Sequence, residues 1–386
     1  MLFMSSAGIF LNLDEYLSYI TLKYDIRNII LFASLMSLVL IPWFSFDSNY
    51  KKWGTLDVKR QSFSFLRLLL IANIVLSIYA IIYALPYAYR AFSLGAHETR
   101  LMIQDESVYP HTIFTTICVG VGYLVPLQVL LLFITLINDA LGKYRLLTFI
   151  ASFANIVVVM PFSGRDGFVF IPLMYLFIYA IFKKSITPKG KSFIKHGLFF
   201  AGGCLLLLFL YITIDRFIAN SLRHFNSDSS FIYGTWGYFF QQPYVFDQNL
   251  QHREHFFGFS RRFPLLDIVF NTSTNYNSFY PFDTSFGTMF AEFYSVNGWG
   301  SLLFFSLAFI TSFNVLIRFH IKQRNTTAIL ITFVIYLYYL ITGLFYYRLY
   351  ALNTTILFLL VLFCTFFIKD FIVIKSTSNE SSSINN

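Results

Sequence analysis

The chain has 386 residues, 57% of them hydrophobic and only 12% charged, and its apolar residues come in blocks. Because roughly 20 apolar residues in a helix cross a hydrocarbon core about 30 Å thick, these blocks define an all-α polytopic integral membrane protein and exclude a β-barrel, whose strands alternate. The formal net charge of +9 would indicate nucleic acid in a soluble protein; here its placement along the chain carries the information, and no nucleic-acid partner is expected.

Residues 1–27 begin with the apolar run Leu2 to Leu13 and are then interrupted by Asp14, Glu15, Lys23, Asp25 and Arg27. They read as a first span or an interfacial helix. With no basic leading segment or cleavage site, no cleavable leader is expected. Spans are expected at Ile29–Phe46, Phe63–Tyr87, Ile113–Ile137, Leu146–Phe162, Phe168–Phe182, Gly197–Ile214, Trp299–Ile317, Thr327–Phe345 and Thr354–Ile374. About nine to ten transmembrane helices result. The chain divides accordingly into a bundle at 1–214, one large loop at 215–298, three closing helices at 299–375, and a Ser/Asn tail at 376–386 with too little apolar content to fold. Cys118, Cys204 and Cys364 all fall inside apolar blocks, without the spacing of a metal site or a disulfide framework.

Basic residues beside short loops mark the cytoplasmic side. With the loop at Lys51, Lys52, Lys59 and Arg60 inside, Lys143, Arg145, the run Lys183 to Lys195, Lys322, Arg324, Lys369 and Lys375 fall inside as well. Lys23 is the one lysine placed outside. Four segments then face outward: Tyr89–Pro110, the turn Ser163–Gly167, the large loop, and Tyr346–Asn353. The large loop contains no lysine, yet it carries Arg216, Arg223, Arg253, Arg261 and Arg262. Positive charge is disfavoured on that side, so these arginines point either to chemistry or to pairing with aspartate and aromatic faces.

Three clusters carry candidate chemistry. Ser163-Gly164-Arg165-Asp166-Gly167 turns between arms of about 17 and 15 residues, which reach only about 22 to 26 Å. Arg165 is therefore expected at or just below the outer interface, where an arginine needs a partner or a task. Arg216 and Arg223, seven residues apart, share a face if the preceding span continues outward as a helix, and two guanidiniums on one face suit a phosphate or pyrophosphate. Arg348 lies on the same outer side, and Arg253 is a further anion ligand. His252-Arg253-Glu254-His255 lacks metal spacing and a third ligand, so no metal and no cofactor are expected. His224, Glu254, His255 and Glu292 are candidate general bases, with Asp247 and Asp283 also open, because deprotonating a sugar hydroxyl needs one positioned acceptor. In the aromatic series around Tyr233 to Phe246, Trp236 and Tyr238 are candidates for stacking on sugar, although interfacial anchoring accounts equally well for such residues. A nucleotide motif, a Walker A sequence and acidic relays within spans are all missing from the sequence.

The span pattern, the Phe- and Tyr-rich composition, the hairpin with Ser163-Gly164-Arg165, the loop opening at Asp215-Arg216, and the stretch Asn275-Tyr276-Asn277-Ser278-Phe279-Tyr280 with Phe286-Gly287 and Asn297-Gly298-Trp299-Gly300 resemble the Wzy-type O-antigen polymerases, over most of the chain. The resemblance implies an inverting, metal-independent glycosyltransferase of the bacterial inner membrane. It would transfer a growing glycan from undecaprenyl pyrophosphate to a new lipid-linked repeat unit at the periplasmic face, with Arg165 and the loop arginines binding pyrophosphate and a polysaccharide chain-length regulator as a further partner. An O-antigen ligase and a polysaccharide flippase or other transporter are the competing expectations.

Overall fold

The computed structural model describes residues 25–94, 110, 112–162, 166–224, 242–253, 256, 258–259, 263–270, 288–343 and 352–375. In chain order the first elements are α1 (Ile26–Val39), α2 (Ile41–Tyr50), β1 (Thr55–Val58), α3 (Phe63–Leu94), α4 (Ile113–Tyr123) and α5 (Val125–Ile137). A 3-10 segment at Asp139–Tyr144 leads to α6 (Arg145–Ala151), α7 (Ala154–Val159), α8 (Asp166–Phe182) and α9 (Pro188–His224). Then follow α10 (Gln242–His252), α11 (Pro264–Phe270), α12 (Met289–Lys322), α13 (Thr326–Gly343), α14 (Leu352–Cys364) and β2 (Ile372–Lys375).

Among the described residues six stretches are long and apolar enough to cross a membrane: Ile26–Tyr50, Arg60–Ala91, Asp139–Val159, Pro188–Leu208, Met289–Lys322 and Thr326–Gly343. The pair α4 and α5, bent by 53°, makes a seventh if it is one span, and Gly167–Phe182 and Thr355–Cys364 are shorter apolar helices. Each expected apolar block therefore contains a helix, but only six or seven have the length of a span. These helices make the chain a helical, multi-pass membrane protein.

The last block departs from expectation. Instead of running as one span from Thr354 to Ile374, helix stops at Cys364 and Ile372–Lys375 forms a strand. Beyond the helix end, Asp370 is held by polar partners: its Oδ1 accepts from the Thr327 N–H at 3.0 Å and from the Thr327 hydroxyl at 2.9 Å, while Lys59 lies 3.1 Å from Oδ2. Thr327 Oγ1 in turn accepts the N–H groups of Phe371 and Ile372. An all-α expectation thus gains one antiparallel ribbon, with Thr55 opposite Lys375 and Val58 opposite Ile372.

Two compact units divide the described residues. One draws on Met1–Ser45, Phe217–Leu316 and Tyr339–Leu359, the other on Phe46–Arg216, Ile317–Tyr338 and Leu360–Asn386. In the second unit α5 is apolar on every side, as a helix surrounded by protein must be, and Val129, Leu132, Phe133, Ile134 and Leu136 have no exposure. Small residues bring α3, α4 and α7 together: Ala80, Ala84 and Cys118 pack with Val121 and Val158. Where α4 breaks from α5, the freed carbonyls are taken internally. Gln128 Nε2 donates to Val121 O at 3.0 Å and Asn155 Nδ2 donates to Gly122 O at 3.0 Å, which an apolar surrounding requires.

The lysine-rich loops of this unit are joined to one another. Asn138 donates to Asp57 at 3.1 Å, the Leu56 N–H to Ser185 at 2.7 Å, and the Thr187 N–H to Leu136 O at 3.1 Å. Arg145, 8% exposed, bonds Thr135 O, Asp139 and Thr187. Loops that basic residues assigned to one side of a membrane thus share one hydrogen-bonded cluster. Burial opposes ionisation of Asp57, but hydrogen bonds from Lys375, the Val58 N–H and Asn138, together with the Lys375 charge, outweigh it and hold the carboxyl below its ordinary range. A carboxyl depressed in the folded state stabilises the fold above its unfolded pKa of about 4, and that contribution disappears as pH falls through the lower folded value. Asp57→Asn is expected to cost about 0.5 to 1 kcal/mol at pH 7, since the pair is solvent-screened. Thermal unfolding in detergent should show the difference narrowing as pH drops below about 4.

Candidate functional site

The first unit holds a helix whose sequence contradicts its surroundings. α10 reads QPYVFDQNLQH, a polar segment, yet Gln242, Asp247, Gln248 and Asn249 are at most 2% exposed and Arg253, just past its end, is 8% exposed. Burying so many amides and charges requires internal partners. Two chains of hydrogen bonds supply them for Asp247, Asn249 and Arg253.

The first runs along one face of α10. Asn249 Nδ2 donates to Val245 O at 2.7 Å, and its Oδ1 accepts from Arg253 Nε at 3.0 Å and Nη2 at 2.6 Å. The amide thus fixes the guanidinium against the helix, one turn at a time. The second is built on Asp247. Its carboxylate accepts from Gln251 Nε2 at 2.8 and 2.9 Å, from Asn28 Nδ2 at 2.7 Å and from the Asp25 N–H at 3.3 Å. Asp25 is the N-cap of α1 and accepts the Arg27 N–H with its own side chain, so the Asp247 charge sits where the helix dipole of α1 favours it. Asp247 is fully buried in these contacts and serves as an anchor rather than as an exposed base.

Apolar packing ties α10 to the first arm of α12. Phe246 lies 6.5 Å from Phe290, and both rings contact Phe32 of α1 at 5.6 and 6.1 Å. Glu292, in the first turn of α12, is half-buried with Oε2 sealed from solvent. This arm ends at a break: Asn297 has φ −158 and ψ 40, and Gly298 has φ 67 and ψ −142. Ser301 repairs it, its hydroxyl accepting the Asn297 N–H at 2.9 Å and lying 2.7 Å from Phe293 O and 2.9 Å from Gly298 O, while the Gly258 N–H donates to Val296 O at 3.0 Å. Around the break stand Phe256, Tyr294 and Trp299, with the Tyr294 ring 5.8 Å from Phe256 and 5.7 Å from Trp299. Trp299 is 51% exposed. A fixed cation just past α10 and an aromatic group at the break in α12 are the kinds of group that an anionic ligand with a ring-bearing portion would use.

Of the sequence candidates, Arg253 and Glu292 fall on packed elements of this unit. Helix α9 continues through Arg216, Arg223 and His224, so the backbone carries Arg216 and Arg223 two turns apart, as the spacing required. Arg165, Trp236, Tyr238, Glu254, His255 and Arg348 lie outside the described residues. Among the described residues no three His, Cys, Asp or Glu side chains are grouped to hold a metal. Asn28, Gln242, Gln248, Asn249 and Ser301 escaped the sequence reading; the one available signal was an amide-rich run between apolar blocks. No family model matches the chain, and no curated protein or solved structure matches it either.

Gly298 offers a direct check of the break. Its backbone lies close to a region reserved for glycine, and an added Cβ would meet the Phe256 ring at 3.2 Å. Gly298→Ala should therefore destabilise by about 1 to 3 kcal/mol. Gly300→Ala, with nothing within 4 Å of the added atom, should leave the thermal midpoint unchanged or raise it. Unfolding of both variants in detergent distinguishes the two outcomes.

Proposed function

We propose that the protein is a lipid-linked oligosaccharide polymerase of Wzy type, acting at the periplasmic face of a bacterial inner membrane. The observation that carries this reading is the largely buried polar helix α10, which fixes Arg253 through Asn249 in a chain otherwise made of apolar helices. The resemblance in the sequence points the same way.

In this reading Arg253 binds the pyrophosphate of the donor and stabilises the negative charge that grows on it as it leaves, and Arg165, Arg216, Arg223 and Arg348 are the further candidates for that role. Glu292, or one of His224, Glu254 and His255, takes the proton from the acceptor hydroxyl. The hydroxyl oxygen attacks the anomeric carbon from the opposite face, the bond from that carbon to the pyrophosphate oxygen breaks, and undecaprenyl pyrophosphate departs with the electron pair. Inversion follows from the single displacement. Trp236, Tyr238 and the Tyr294–Trp299 pair would receive sugar faces, and a chain-length regulator would set when the product leaves.

A transporter would draw on the bent pair α4 and α5, since broken helices commonly expose carbonyls to cargo. Here Gln128 and Asn155 occupy two of the carbonyls at that break, which favours the enzyme. A ligase differs in its acceptor alone, and genetics separates the two. Deleting the gene should leave lipopolysaccharide with core plus one repeat on a gel. Bare core with accumulated lipid-linked polymer would indicate a ligase, and an unchanged ladder would contradict both. Complementation with Arg253→Lys should lower polymerisation by on the order of a hundredfold or more at unchanged protein level, and an equal loss with Glu292→Gln would single out Glu292 among the four candidate bases.

A further inference from the structure

At the opposite chemical extreme from α10 stands a patch in the second unit, where the 3-10 segment Asp139–Tyr144 meets the turn between α8 and α9. Thr187 joins the two: its N–H donates to Leu136 O at 3.1 Å, its hydroxyl donates to Asp139 at 2.9 Å, and it caps α9 by accepting the Gly190 N–H at 3.1 Å. Arg145 completes the junction through Asp139. Lys143, Lys183, Lys184, Lys189, Lys191 and Lys195 are all exposed around it. Asp139, the acidic residue of these two segments, is already held by Arg145 and Thr187. The patch is therefore a rigid surface of six lysines whose local carboxylate is committed elsewhere.

Its border identifies the partner. One turn beyond Lys195 the same helix exposes Phe199 and Phe200 at 86% and 76%, and beside Lys143 α6 exposes Leu146 at 59%. Leu176 and Tyr179 of α8, just before Lys183, are 62% and 40% exposed. Aromatic and aliphatic side chains this open belong in lipid, so the lysines next to them stand at the level of the headgroups. A soluble acidic protein or a nucleic acid would need the cations projected away from that apolar border.

We infer that this lysine patch is a binding surface for anionic phospholipid headgroups, held ready by the Thr187–Asp139–Arg145 junction. It stands independently of the proposed polymerase activity, since it needs only that the apolar helices lie in a bilayer. Each lysine near an anionic surface contributes about a five-fold gain in binding.

The test titrates short-chain phosphatidylglycerol into the full-length protein in non-ionic detergent and follows the thermal midpoint. The midpoint should rise by a few degrees, and short-chain phosphatidylcholine should leave it in place. In Lys183→Gln/Lys184→Gln/Lys189→Gln the concentration giving half the response should increase on the order of a hundredfold. For the wild type, about 1 M salt should abolish the response, which tests the inference without any variant. Equal stabilisation by phosphatidylcholine, a response that survives high salt, a triple variant that folds and responds like wild type, or reproduction of the shift by inorganic phosphate alone would each overturn it.

Discussion

A polar group taken out of water in this protein has apolar helices on most sides, so it must find its partner within the chain or cost several kcal/mol. The architecture answers to that constraint at each irregular point. Asp247 collects donors from Gln251, Asn28 and the start of α1. Asn249 faces Arg253 with its oxygen and Val245 with its nitrogen, using both ends of the amide. Gln128 and Asn155 donate to two carbonyls at the bend between α4 and α5, and Ser301 bridges the break in α12. Irregular backbone survives where a side chain has been supplied to meet it.

The same constraint gives the proposed site its character. An arginine on a flexible outer loop would be solvated and weakly directed. Arg253 is instead held by two hydrogen bonds to a buried amide, so its position is set before any ligand arrives, and the lowered dielectric around it strengthens its attraction for an anion. Pre-organisation of this kind is what an enzyme handling an already activated donor needs. The break at Gly298 contributes geometry: it ends the buried arm that carries Glu292 and lets the lipid-length remainder of α12 restart at Trp299, with the aromatic group gathered at the junction.

Much of the fold was legible because hydropathy and lysine placement are direct records of the bilayer. The apolar blocks each yielded a helix, and the lysine-bearing loops proved to be hydrogen-bonded neighbours through Asp57, Asn138, Ser185 and Thr187. Hydropathy could not see that the last block would leave the helix for a strand beside Asp370, whose partner Thr327 lies 43 residues away in sequence. The 53° bend at Leu124 was equally hidden inside one uniform apolar run. Of the candidate site, the charged residues were visible in the sequence and the residues that hold them were not. Arg253 and Glu292 stood out as charged residues, whereas Asn249 and Asn28 act through contacts that no local pattern announces, and a largely buried polar helix looks in sequence like a solvated loop.

The central claim is that this chain joins lipid-linked repeat units without metal or nucleotide. Purified protein in proteoliposomes, supplied with undecaprenyl-pyrophosphate-linked repeat unit and a metal chelator, would be followed by mass spectrometry. The account predicts dimeric and longer glycans on lipid pyrophosphate, with one undecaprenyl pyrophosphate released per linkage formed. Repeat units that cross the bilayer without lengthening, or that extend only when a lipid A core acceptor is added, would contradict it.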